Sequence, residues 1–147
     1  NFSDRKSLAN LWGCISKLFY LGAIPIINEN DVISSDQLQH STTFGDNDVL
    51  ASMAAKSLIV GSILFLSDVD GLLDANGNLI SYVEGATSFS EVLDNGNGRG
   101  KGGIKSKLSA IENALDANIL SILANGKKEN IMLDAFSPKR VGTLFVP

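Results

Sequence analysis

Apolar positions follow two rhythms along the 147 residues of the chain. Leu8, Leu11, Trp12, Ile15, Leu18 and Phe19 recur at helical spacing and predict a helix from Arg5 to Leu21. Ser3 or Asp4 can cap its start, and Gly22 stands where such a helix ends. Val49, Leu50, Met53, Ala54 and Leu58 repeat the pattern in a second, Ala-rich helix, and Ile104, Leu108, Ile111 and Leu115 repeat it in a third. The other rhythm is continuous. Ile24 to Ile27, Ile63 to Leu66 and Ile119 to Leu123 are short unbroken apolar runs, as expected of strands buried on both faces. Smaller elements fill the gaps. Ser34 to Thr43 reads as a polar loop or small hairpin, Asp74 to Asn78 as a turn, and Leu79 to Val83 as a short strand. Ser88 to Leu93 reads as a short helix and Gly142 to Val146 as an edge strand.

Helices alternating with all-apolar strands predict an α/β fold with a mainly parallel sheet covered by helices on both faces. Parallel strands end on one edge, and ligands in open α/β sheets bind there. Each predicted strand is followed by a polar cluster. Asn28, Glu29, Asn30 and Asp31 follow the first, Ser67, Asp68 and Asp70 the second, and Asn125, Gly126 and Lys127 the third. Three clusters distant in sequence are therefore expected to converge.

Composition narrows the classes. The chain is 44% hydrophobic and 19% charged, ordinary for a globular domain with a core of its own. A net charge of −4 gives no electrostatic grip on nucleic acid or anionic lipid. No apolar run reaches membrane-spanning length, and no signal-peptide pattern is present. The single cysteine, Cys14, excludes an internal disulfide and suits a reducing, cytoplasmic setting. Its place on the apolar face of the first helix predicts burial. His40 stands alone in a polar stretch and reads as solvated, and no Cys/His cluster suggests zinc.

Three groups can carry chemistry. Gly98 to Lys107, GRGKGGIKSK, sets glycines at the start of a helix, where backbone N–H groups and the helix dipole attract anions. Lys101, Lys105 and Lys107 oppose that dipole unless an anion is bound. The alternative is a surface loop with solvated lysines. Gly45 to Asp48, GDND, reads on spacing alone as a helix cap, although its acids and amide can also hold an ammonium or a lysine. In Ser67 to Gly71, SDVDG, Asp70-Gly71 is a turn signal, whereas Asp68 suits a nucleotide hydroxyl or a magnesium-bound water.

Taken together, IPIINEND, FGDND, LSDVDGL, GKGGIKSKLSA and VGTLF resemble, in order and rough spacing, the glutamate 5-kinase branch of the amino acid kinase family, from Arg5 to Phe145. The resemblance implies transfer of the ATP γ-phosphoryl group to the side-chain carboxylate of L-glutamate, the first step of proline biosynthesis, with Mg²⁺ as the accompanying ion and no metal ligand set of the chain's own. It implies that Asp31 and Asn47 hold the glutamate, with Asn28, Asn30 and Asp46 close by. Ser67 and Asp68 would contact the nucleotide. Lys101, Gly102, Gly103, Ile104, Lys105, Ser106 and Lys107 would form the phosphate segment. Lys107 would stabilise the transferring group, and Asp48 would hold lysines in position. A homo-oligomer and feedback inhibition by proline are further expectations.

The family's glycine-rich first strand–loop and its serine loop have no counterpart here, so the expectation is the C-terminal portion of one kinase domain: the nucleotide-binding half plus part of the glutamate site. No C-terminal RNA-modification-type domain is expected, and the chain alone is expected to be inactive. The family's Gly-Thr-Gly-Gly-Met reads Gly100-Lys101-Gly102-Gly103-Ile104. A basic residue in the Thr place is similar to the kinase portion of bifunctional pyrroline-5-carboxylate synthases. Other amino acid kinases and a non-catalytic amino-acid-binding fragment are the competing readings.

Overall fold

A computed structural model describes residues 5–28, 47–74, 76–85 and 103–147. The first helix, α1 (Arg5–Tyr20), ends as its sequence predicts. Gly22 takes a left-handed conformation, φ 72°, its N–H donates to Phe19 O at 2.9 Å, and Ala23 N–H donates to Leu18 O at 2.9 Å. That pair of bonds satisfies carbonyls that the helix end would otherwise leave orphaned. Ile15 is buried, and Trp12 Nε1–H donates to Ser57 O at 2.8 Å, tying α1 to the next helix. Cys14, expected inside, is exposed. The helix meets the rest of the described chain along a narrow stripe, and Cys14 falls beside it.

The run Ile24 to Ile27 is not a strand. Residues 23–28 are irregular, and Ile24 and Ile26 are 87% and 91% exposed. A strand is defined by ladder partners, and among the described residues no strand lies beside this segment.

The remaining elements are α2 (Asn47–Leu58), β1 (Ser62–Ser67), β2 (Leu72–Leu73), β3 (Leu79–Ile80), β4 (Tyr82–Glu84), α3 (Gly103–Leu115), β5 (Leu120–Asn125), α4 (Ile131–Ala135) and β6 (Thr143–Val146). The main sheet has the order β1-β5-β6-β4. β1 and β5 are parallel with Ser62 opposite Leu120 and Ser67 opposite Asn125, and β4 and β6 are parallel. β5 and β6 are antiparallel, so β6 is an interior strand and β4 the edge, against the expectation for Gly142 to Val146. The stretch Leu79 to Val83 is divided at Ser81 into β3, which pairs with β2 as a small hairpin, and β4. The predicted Ser34 to Thr43 hairpin, the Ser88 to Leu93 helix and most of the glycine loop lie outside the described residues.

Alternation along the strands separates two cores. Phe65, Leu123, Phe145 and Val83 pack with Leu108, Ala110 and Ile111 of α3 on one face. Ile122, Ala124, Leu64 and Leu144 meet Ile131 and Ala135 of α4 on the other. Helices therefore cover both faces, as the alternating pattern predicts.

The relation between α2 and α3 positions the site. Ala55 packs with Ala114 and Ile119 at one end, and Asp48 meets Lys107 at the other. Both pairs have the same sequence offset, so the two helices run side by side in the same direction. Small residues on both, Ser52, Ala54, Ala55, Ala110 and Ala114, are buried and let the helices approach closely. Short connections lead from α2 into β1 and from α3 into β5. Each helix runs back along its strand, which sets both helix N-termini at the carboxyl edge of β1 and β5.

Candidate functional site

At that edge the first feature is a pair of opposite charges. Lys107 Nζ donates to Asp48 Oδ2 at 2.7 Å, and the two side chains are only 17% and 19% exposed. Ser106 Oγ lies 3.4 Å from the same oxygen. Asp48 sits in the first turn of α2, where a carboxylate is favoured by the helix dipole. Lys107, near the start of α3, faces the opposite preference, and the neighbouring carboxylate offsets it. Asp48 therefore fixes an ammonium where two parallel helix dipoles both present their positive ends, a setting that attracts an anion.

The second feature joins two loops. Gly126 N–H donates to Ser67 O at 2.8 Å, and Asn125 Nδ2 donates to Asp70 Oδ1 at 2.8 Å. Lys128 Nζ stands 2.9 Å from Asp70 Oδ2. The Asn125 amide, and then Lys128, hold the Asp70 carboxyl below its ordinary range, so it is ionised at neutral pH. Asp68 accepts one weaker bond, from Ser67 Oγ at 3.4 Å, and is exposed.

Just behind this loop, Gly71 holds φ 149° with Thr143 against it, and an added Cβ would lie 2.7 Å from Thr143 Oγ1. The Thr143 hydroxyl is wholly buried, accepts from Leu72 N–H at 2.8 Å and donates to Ile80 O at 2.6 Å. The SDVDG loop is thus pinned at both ends.

Of the predicted site residues, Asp48, Ser106 and Lys107 come together, and Ser67 and Asp68 lie on the same sheet edge. Asn47 opens α2, while Gly103 and Ile104 open α3. Asn28 is half-buried, and no hydrogen bond among the described residues joins it to this edge. The predicted convergence is therefore described for two of its three clusters. Asn30, Asp31, Asp46, Lys101 and Gly102 lie outside the described residues, as does the side chain of Lys105. Pattern reasoning set Asp70 and Asn125 in clusters expected to converge on this edge, but it read Asp70-Gly71 as a turn signal, did not pair Asp70 with Asn125 and left Lys128 out. The available signal was the polar stretch Asn125 to Lys128 directly after a parallel strand.

Comparison with known proteins identifies the family. The family model described as the amino acid kinase family matches residues 1–125. Glutamate 5-kinase from Lactiplantibacillus plantarum is 37% identical over 148 residues, covering 95% of this chain and 56% of the relative. Glutamate 5-kinase from Streptococcus thermophilus is 37% identical, covering 95% and 55%, and that from Oenococcus oeni is 38% identical, covering 98% and 56%. The chain spans about half the length of the curated relatives it matches. Among solved structures, N-acetylglutamate synthase from Neisseria gonorrhoeae complexed with coenzyme A and L-arginine superposes with a TM-score of 0.59 at 19% identity, over 69% of this chain and 23% of that one. That likeness concerns the fold. With a match over residues 1–125 and a sheet edge built as described, the chain belongs to the amino acid kinase family.

Proposed function

We propose that the chain forms the nucleotide-binding half, and part of the amino-acid site, of a glutamate 5-kinase. The observation that carries this reading is the Lys107–Asp48 pair at two convergent helix N-termini. The relatives' shared name supplies the substrate.

The chemistry suits such a site. A glutamate side-chain carboxylate is already ionised at pH 7, so it needs no general base. One of its oxygens bonds to the γ-phosphorus as the bond from that phosphorus to the bridging oxygen of ADP breaks. The difficulty is bringing one anion to another, and the catalyst must place positive charge around the transferring group. Lys107 supplies an ammonium there, and Asp48 orients it. Ser67 and Asp68 contact the nucleotide, and Lys101 to Ser106 continue the phosphate segment. Mg²⁺ accompanying ATP would neutralise phosphate charge. That ion would be borne chiefly by phosphates and water. Asp31 and Asn47 grip the substrate's amino-acid end, beside Asn28, Asn30 and Asp46. A cytoplasmic homo-oligomer inhibited by proline completes the reading.

The test is a coupled assay of ADP release by the complete protein with ATP and a panel of amino acids. L-Glutamate alone should support turnover. Preference for aspartate or N-acetylglutamate would overturn the substrate, and ATP turnover independent of any amino acid would overturn the reaction.

A further inference from the structure

Asp68 and Asp70 sit two residues apart on one loop, and the structure gives them different work. Both are exposed, and among the described residues Asp68 accepts only the 3.4 Å contact from Ser67 Oγ. Both oxygens of Asp70 are engaged, one by Asn125 Nδ2 at 2.8 Å and the other by Lys128 Nζ at 2.9 Å. Asn125 is itself fixed at both ends of its amide, because its Oδ1 accepts Lys127 N–H at 3.0 Å. This settles which way the amide points, since only the nitrogen can donate to a carboxylate. Gly126 brings the two backbones together, and a Cβ there would stand 3.2 Å from Leu66 Cβ.

We propose that Asn125 and Asp70 are positioning residues that lock the loop after β1 to the loop after β5, holding Ser67 and Asp68 in the form that receives the nucleotide. The inference rests on the nucleotide reading above and extends it, because it assigns ATP affinity to two residues that do not themselves touch ATP. A nucleotide binds without first ordering the loop, so the lock acts on affinity by removing that entropy from the binding step.

The experiment is calorimetry of ATP and L-glutamate binding to the complete protein, with Asn125→Ala, Asn125→Asp, Asp70→Asn and the exchange Asp70→Asn/Asn125→Asp. Asn125→Ala should weaken ATP by roughly threefold, the loss expected when a solvent-exposed hydrogen bond to a charged group is removed. Glutamate affinity should stay unchanged. Asn125→Asp sets two carboxylates face to face and should be worse. The exchange restores one donor and one acceptor between the loops and should bring ATP affinity most of the way back. General destabilisation would weaken both ligands together, and that outcome overturns the proposal. So would unchanged ATP affinity in Asn125→Ala, or an exchange variant no better than Asn125→Asp. An unmodified protein that binds ATP but phosphorylates no glutamate would sink the functional reading and leave this one standing. One that binds no ATP would sink both.

Discussion

Ile59 holds φ 51°, in the left-handed region that β-branched residues avoid. It closes α2 as Gly22 closes α1. Val60 N–H donates to Ala55 O at 3.1 Å, and Ile59 N–H donates to Lys56 O at 3.3 Å. The side chain is 83% exposed, so little packing offsets a backbone cost of about 1–2 kcal/mol. Ile59→Gly should therefore stabilise the fold by about 0.5–1 kcal/mol, after the extra freedom glycine gives the unfolded chain. Thermal melts followed by circular dichroism should show the midpoint rising by about 2–3 °C for a domain this size. A lower midpoint would mean that Ile59 makes a contact that repays its strain. Periodicity ended α2 correctly here, but no pattern marks an isoleucine as a left-handed cap. Cys14 erred in the opposite direction, because its place on an apolar face said nothing about how much of that face is covered.

Among elements, the β2–β3 hairpin shows how little sequence the sheet edge uses to hold a loop. Each of its strands is two residues long, too short to persist alone. Asp74 closes its turn by accepting Asn76 N–H and Asn78 N–H, each at 2.8 Å, and Thr143 anchors its base through Leu72 and Ile80. Thr143→Val keeps the shape but strands the buried Leu72 N–H and the half-buried Ile80 carbonyl, at a cost of about 1–3 kcal/mol. Thr143→Ser should retain most of that stability. Urea unfolding of the three proteins checks this, and a Val variant as stable as the parent would remove Thr143 from the account. The turn at Asp74 to Asn78 and the helices were legible, because capping residues and a 3.6-residue period are local signals. The interior place of β6 was not, because strand order depends on which apolar faces meet across the chain. The run Ile24 to Ile27 failed for the same reason, since an apolar run shows that a strand is allowed and not that it has neighbours.

At the scale of the whole molecule, one edge collects what the sequence scatters. Asp48 and Lys107 are 59 positions apart, and Asp70 and Asn125 are 55 apart, yet both pairs form at the carboxyl end of β1 and β5. Topology accounts for this, because α2 and α3 each precede a parallel strand and return their N-termini to the same side. The alternating pattern made that edge legible. The partnership of Asp48 with Lys107 was reached in the sequence only through family resemblance, since spacing alone favoured a helix cap for GDND. The central claim is that Lys107, held by Asp48, stabilises the phosphoryl group in transfer. An interaction stronger in the transition state than in the ground state lowers kcat when lost and moves KM less. The direct measurement is steady-state kinetics of Lys107→Ala and Lys105→Ala in the complete protein, with folding checked by circular dichroism. The account predicts that Lys107→Ala lowers kcat by roughly 10²–10³-fold, the usual loss of one preorganised donor, while Lys105→Ala does much less. A Lys107→Ala enzyme that raised only KM for ATP, or that was less impaired than Lys105→Ala, would contradict it.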